Sequence, residues 1–175
     1  MAKQRHKQIL EVLKTASEPV NGSSLAEQME VSRQIIVQDV AILRARGHEI
    51  IATPRGYLLP SGMSQQQQTI LAVKHTPQET EKELNILVDN GLTVIDVVVE
   101  HSIYGELRGN LMLSSRRDVQ EFMDSLKDQG ASLLSSLTGG SHLHTVQYRS
   151  DDDLQAAIQK LRKHELLSED PLDDH

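Results

Sequence analysis

Between Ser24 and Gly47 the chain places two helix starts with only a short break between them, and that spacing leaves few folds open to its first third. Ser24-Leu-Ala-Glu27 has the form of a capping box, a Ser at the N-cap answered by a Glu one turn on. Leu25 and Met29 give this short helix its apolar side. After a break at Glu30-Val31, Ser32 reads as the N-cap of a longer helix whose buried stripe is Ile36, Val40 and Leu43. Gly47 stands where a helix C-terminus favours glycine. An earlier helix through Ile9, Leu10, Leu13 and Ala16 is stopped by Pro19. Helix, short helix, tight turn, longer helix is the helix-turn-helix order. Ile50-Ile51-Ala52 and Tyr57-Leu58-Leu59 then flank Thr53-Pro54-Arg55-Gly56, a small hairpin with Arg55 at its tip. Residues 1–60 are therefore expected to form a winged helix-turn-helix.

The face of the third helix opposite the stripe carries Arg33, Gln34, Val37, Gln38 and Ala41. Arg and Gln can engage base edges with two hydrogen bonds, and Ser32 suits a phosphate. Charge agrees with this placement. Residues 1–60 hold 8 Lys/Arg and 6 Asp/Glu, a balance of +2, while residues 61–175 hold 10 and 19, a balance of −9. A double-stranded DNA partner is thus expected for the first domain only, through Ser32, Arg33, Gln34, Gln38 and Arg55. A protein-interaction module with a merely solvated helix face is the competing reading.

A polar junction, residues 61–68, separates this domain from residues 69–175. Beyond it a short strand, Thr69 to Lys74, meets a helix start at Thr76-Pro77-Gln78-Glu79. Strands follow over Leu92 to Glu100 and along Leu107, Gly109, Leu111 and Leu113. Ser115 caps a helix with Val119, Phe122, Met123 and Leu126 at helical spacing, and Ala131 to Thr138 fits neither period. A last strand runs from His142 to Arg149, a last helix opens at Asp151, and the acidic tail after Leu167 is expected to fray. The order β-α-β-β-α-β predicts an α+β chain: a winged helix followed by a ferredoxin-like two-layer sandwich with an extra C-terminal helix. Aromatics are only 2% of the sequence, so both cores must be aliphatic. With no Cys, disulfides, thiolate catalysis and Cys-rich zinc sites are excluded. No signal-peptide core or bilayer-spanning stretch is present in the sequence, so a cytoplasmic, membrane-free protein is expected.

Eight histidines punctuate the chain. His6, His48, His164 and His175 read as surface residues. His75 and His101 end the first two strands of the second domain, and His142 and His144 begin its last. The first two strands of a split β-α-β unit run parallel and the last runs against them, so all four imidazoles are expected at one sheet edge. Such a cluster suits zinc, nickel, iron or copper, with Glu79 or Glu83 able to reach back from the following helix.

Three stretches carry a family resemblance: Val31 to Gly47, Val99-Glu-His-Ser-Ile-Tyr-Gly105, and Leu137-Thr-Gly-Gly-Ser-His-Leu-His-Thr145. With them the chain resembles the niacin-responsive transcriptional repressors of bacterial NAD metabolism, a winged helix joined to a three-histidine domain. The resemblance implies a nickel or zinc ion held by His75, Glu83, His142 and His144. It implies nicotinic acid as co-repressor, with His101 and Tyr104 beside the metal. A homodimer on a pseudo-palindromic operator fits a two-fold reader. Two other readings are a metal-dependent hydrolase acting on a small pyridine or carboxylate substrate, and a purely structural metal.

Overall fold

In the computed structural model, which describes residues 1–60 and 67–168, the chain divides into two units, Met1–Ser64 and Gln65–His175. The first holds α1 (Ala2–Thr15), α2 (Gly22–Met29), α3 (Arg33–Ala45) and the hairpin of β1 (Ile51–Thr53) and β2 (Gly56–Leu58). Ser32 caps α3 as expected, its Oγ accepting from the Ile35 amide at 3.3 Å. The cap of α2 is not Ser24. Asn21 lies upstream and accepts from the Ser23 amide at 2.7 Å, so the helix starts earlier and Ser24 falls inside it. Ile9, Leu13, Leu25, Ile36, Val40 and Leu43 form the core. The wing is fastened to the α1–α2 loop, because Val20 and Tyr57 exchange both backbone hydrogen bonds, at 2.7 and 2.8 Å. Gly56 makes that approach possible, since a Cβ there would stand 2.3 Å from the Val20 carbonyl oxygen.

His6 is a correction. Expected at the surface, it is 5% exposed. It shares a helix face with Ile9 and Leu13, three and seven residues on, so burial of that face takes it inside. Asp39, on the inner face of α3, is buried with it. The Asp39 carboxylate accepts from Arg5 at 2.5 and 3.1 Å and pairs with His6 Nε2 at 2.9 Å. His6 Nδ1 faces the Arg46 guanidinium at 3.4 Å. A guanidinium only donates, so that nitrogen is the acceptor and Nε2–H donates to Asp39. The network ties α1 to the inner side of α3.

In the second unit β3 (Gln67–Lys74), α4 (Thr80–Asp89), β4 (Thr93–His101), β5 (Gly105–Leu113), α5 (Arg116–Asp128), β6 (Ser141–Tyr148) and α6 (Asp151–Lys163) follow in order. A one-turn 3-10 helix precedes α4, and Leu134–Thr138, inside the stretch that fits neither period, forms another. Leu84 and Leu87 of α4, Val119 of α5 and Leu161 of α6 share one core with Leu113 and Val146 of the sheet, giving the two layers. The sheet order is β3-β6-β4-β5, antiparallel throughout. β3 and β4 are therefore parallel across one intervening strand, as a split β-α-β unit requires. That intervening strand is the last, β6, whereas a ferredoxin sheet places its third strand there. Polarity explains the difference: Glu106, Arg108 and Asn110 suit β5 to an edge, while β6 is buried at His142, His144 and Val146 to Tyr148.

Two boundaries move. Gln67 and Gln68, expected in the junction, begin β3 opposite Tyr148 and Gln147. Extending the ladder satisfies their backbone groups, which glutamine side chains do not oppose. The remainder of the junction, 61–66, lies outside the described residues. Ser168, expected to belong to the fraying tail, is bonded to the sheet. Lys74 donates to the Leu166 carbonyl at 2.9 Å and Ser168 to that of Ala72 at 3.0 Å, so these residues cover the outer edge of β3. The rest of the tail, 169–175 with His175, lies outside the described residues.

The buried Asp39 makes a checkable prediction. Burial raises its affinity for a proton, but hydrogen bonds from Arg5 and His6 outweigh this and hold the carboxyl below its ordinary 3.8. A depressed carboxyl contributes stability above its unfolded value and loses it as pH falls through its folded value. Asp39→Ala should therefore speed amide exchange in α1 and α3 near neutral pH. Below the Asp39 folded value the difference from wild type should vanish.

Candidate metal centre and DNA-reading face

β3 ends at Lys74 and the chain turns at once into α4, so His75 is left at the mouth of the sheet beside the start of the helix. In the β3–β6 ladder His142 is opposite Val73 and His144 opposite Leu71, and two-residue spacing puts both imidazoles on one face. That face is the one covered by helices, since Leu71 and Val146 belong to the shared core. Glu83 lies on the buried side of α4 and is 0% exposed. His75, Glu83 and His142 offer ligand atoms within 4.8 Å of one another. His144 Nε2 is 2.8 Å from Glu83 Oε1.

The three imidazoles are oriented by the same device. His75 Nδ1 bonds the Thr76 carbonyl at 2.8 Å, His142 Nδ1 that of Gly140 at 2.9 Å, and His144 Nδ1 that of Asp96 at 2.8 Å. A carbonyl only accepts, so each Nδ1 carries a proton and each Nε2 is turned toward Glu83. His75 Nε2 is 2.7 Å and His142 Nε2 3.6 Å from Glu83 Oε2. Gly140 permits the arrangement. Its φ is +98°, and a Cβ would stand 2.3 Å from the His75 carbonyl oxygen. Asp96 sits at a register shift in β4, and its carboxylate accepts from the Thr145 amide at 2.9 Å and from Arg108 at 2.5 Å. These bonds hold the bulge whose carbonyl orients His144.

Burial pushes the Glu83 carboxyl up, yet the charge of His144 and the close approach of His142 and His75 outweigh it and hold the group well below the usual carboxylate range. Burial pulls His75 and His144 down, and Glu83 raises both above the ordinary imidazole value. The donor set fits a borderline transition-metal ion: imidazole nitrogens in the ligand tautomer and one ionised carboxylate. Two atoms of the cluster support the fit directly. Glu83 Oε1 and His144 Nε2 are buried and close, yet their alignment makes no hydrogen bond. A cation taking the place of the imidazole proton would satisfy both atoms.

Glu79, the other carboxylate within reach of His75 from sequence alone, is spent elsewhere. Its Oε1 accepts from the Thr76 amide and hydroxyl at 3.1 and 3.0 Å, capping the helix start. His101 is not brought into the cluster. Its Nδ1 accepts from the amides of Ile103 and Tyr104 at 3.1 and 3.3 Å, and its ring lies 5.1 Å from that of Tyr104. The expectation of four imidazoles meeting at the edge is corrected to three, because the tight β4–β5 turn uses His101 to hold its own backbone. Tyr104 is 75% exposed at the same turn.

On α3, Ser32, Arg33, Gln34 and Gln38 are all exposed, one side of the helix away from the core. Arg55 occupies the wing turn, where Thr53 Oγ1 accepts from its amide at 3.1 Å. Its guanidinium lies 3.6 Å from the Glu18 carboxylate and is only 22% exposed, so it is less prominent than a wing-tip residue was expected to be. Sequence reasoning missed Asp39, Asp96 and the close fit at Gly140. Asp39 was within reach, since it falls between Ile36 and Val40 on the buried stripe.

Residues 5–58 match an HTH domain family and residues 68–170 match the 3H domain family. The chain belongs to the 3H-domain repressors. It is 42% identical over 167 residues, 95% of each chain, to a probable transcription repressor, NiaR, of Thermotoga maritima. It is 39% identical over 173 residues, 97% of this chain and 96% of the relative, to the transcription repressor NadR of Bacillus subtilis. The resemblance read from the sequence is thereby established, and with it an α+β regulator with a DNA-binding HTH domain, rather than an enzyme. Among the described residues no helix is long and apolar enough to cross a membrane.

Two adjacent glycines test the site. Gly139, at φ +63°, has nothing within 4 Å of a built Cβ, whereas Gly140 collides with the His75 backbone. Gly139→Ala should cost only the conformational penalty, roughly 1 kcal/mol. Gly140→Ala should lower the thermal midpoint further and reduce bound metal, read by elemental analysis of the purified repressor.

Proposed function

We propose that this repressor acts in the cytoplasm as a homodimer on operators of NAD biosynthesis or niacin uptake genes, with nicotinic acid as co-repressor sensed at a metal centre in the 3H domain. The observation that carries the reading is the buried convergence of three imidazole Nε2 atoms on one carboxylate, beneath α4. His75, Glu83, His142 and His144 would hold nickel or zinc, both of which accept imidazole nitrogen and carboxylate oxygen. The ion would supply a positive charge, in an otherwise acidic domain, to meet a pyridine nitrogen or a carboxylate. The protein supplies the rest: three carbonyls fix the tautomers, and the overlying helix excludes water.

On the DNA side, α3 presents Arg33, Gln34 and Gln38 to base edges, Ser32 lies at the phosphate end of the helix, and Arg55 of the wing meets the backbone on leaving Glu18. Two-fold pairing of chains matches two half-sites. The effector can raise operator affinity only by binding the DNA-competent state more tightly, and the reverse coupling is equal.

Metal-loaded repressor should bind promoter DNA of such genes roughly 5- to 150-fold more tightly when nicotinate is added. Fluorescence anisotropy with and without nicotinate measures this, and no change in operator affinity would remove the co-repressor role. Arg33→Ala should weaken operator binding by roughly tenfold or more while nicotinate binding persists. His142→Ala should abolish metal retention and the nicotinate response. Equal loss of both functions in either variant would mark misfolding instead.

A further inference from the structure

Thr80 opens α4 one turn before Glu83, on the same buried side of the helix as Glu83, Leu84 and Leu87. It is 6% exposed. A threonine inside a helix ordinarily returns its hydroxyl proton to a carbonyl one turn back. Thr80 does not: its Oγ1 is buried and makes no hydrogen bond. The neighbouring polar groups are already committed, with the Thr76 hydroxyl on Glu79 and the Thr76 carbonyl taken by His75. α4 starts at the end of the sheet where β3 delivers His75 and β6 carries His142 as its second residue, so this hydroxyl lies at the same end of the domain as the donor cluster. Its orphan state is shared by Glu83 Oε1 and His144 Nε2, two atoms of that cluster. A buried hydroxyl without a partner is costly to keep, and a valine would fill the same space without that cost.

We propose that Thr80 is an effector-binding residue, donating its hydroxyl hydrogen bond to the carboxylate of a small acid held beside the metal centre. This rests on the reading of the cluster as a metal centre and adds a residue that contacts the effector. Glu83 can only accept, and each histidine has its Nδ1 spent on a carbonyl. On the buried side of α4 that carries Glu83, the Thr80 hydroxyl has a proton still to give.

The test uses full-length repressor loaded with cobalt, whose visible spectrum reports on ligands at the ion, titrated with nicotinate and separately with acetate. Wild type and Thr80→Ser should show the same carboxylate-induced spectral change. Thr80→Val should bind the same amount of cobalt but require roughly 10- to 100-fold more carboxylate, the loss of one hydrogen bond to a charged acceptor. Metal-free Thr80→Val should melt no lower than wild type, since an unsatisfied hydroxyl is removed. Wild-type affinity for both carboxylates in Thr80→Val would overturn the assignment while leaving the nicotinate reading intact. Thr80-dependent binding of acetate without any binding of nicotinate would support Thr80 and remove nicotinate as the effector. Failure of both acids to perturb the cobalt spectrum of wild type would overturn the assignment outright.

Discussion

The second domain is organised around a carboxylate with no access to solvent. Glu83 is fully buried, and an ionised carboxylate in that position is tolerable only if charge or hydrogen-bond donors meet it from several sides. Three imidazoles do so, and each comes from a different constraint. His75 is placed by the end of β3, His142 by the opening of β6, and His144 by the alternation of that same strand. The β3–β6 ladder, the start of α4 and the helix-covered face of the sheet must all be in place before the charge is satisfied. Stability and donor geometry are therefore one requirement.

The same economy operates around the four side chains of the cluster. Backbone carbonyls at Thr76, Gly140 and Asp96 select the imidazole tautomers, so the orientation of the cluster is built from main chain. Main-chain acceptors cannot be lost by substitution of the residue that bears them, but they can be displaced. Gly140 and the Asp96 bulge are the places where displacement is prevented. In the first domain the Asp39 network performs a comparable task, fastening α1 to the inner side of α3 while the outer side remains polar and exposed.

Much of this was legible in the sequence, for definable reasons. Apolar spacing located every α-helix of the described residues, though the cap of α2 lay upstream of the one expected, because burial of a stripe is a local demand. Strand-end histidines pointed to one edge, because parallel and antiparallel directions follow from connection order. Three things were not legible. Strand order depends on which strand tolerates an edge, and that is decided by the whole sheet. The fate of His101 turned on a hydrogen bond inside its own turn, which competes with any longer-range role. Glu79 and Glu83 were equivalent by helical reach, and the family resemblance preferred Glu83. The structure separates them by the cap that occupies Glu79. His6 and Asp39 look polar one residue at a time, and only their shared faces with apolar neighbours reveal them as interior.

The depth of the cluster bears on timing. The side chains of His75, Glu83, His142 and His144 are between 0% and 3% exposed, so the proposed ion would reach them only when α4 or the adjacent sheet edge opens locally. Loading and loss would then be gated by that opening, a slow event for elements packed into a core. On such a clock an ion held there, as proposed, would be a resident part of the folded domain, and the faster signal would be left to whatever binds beside it.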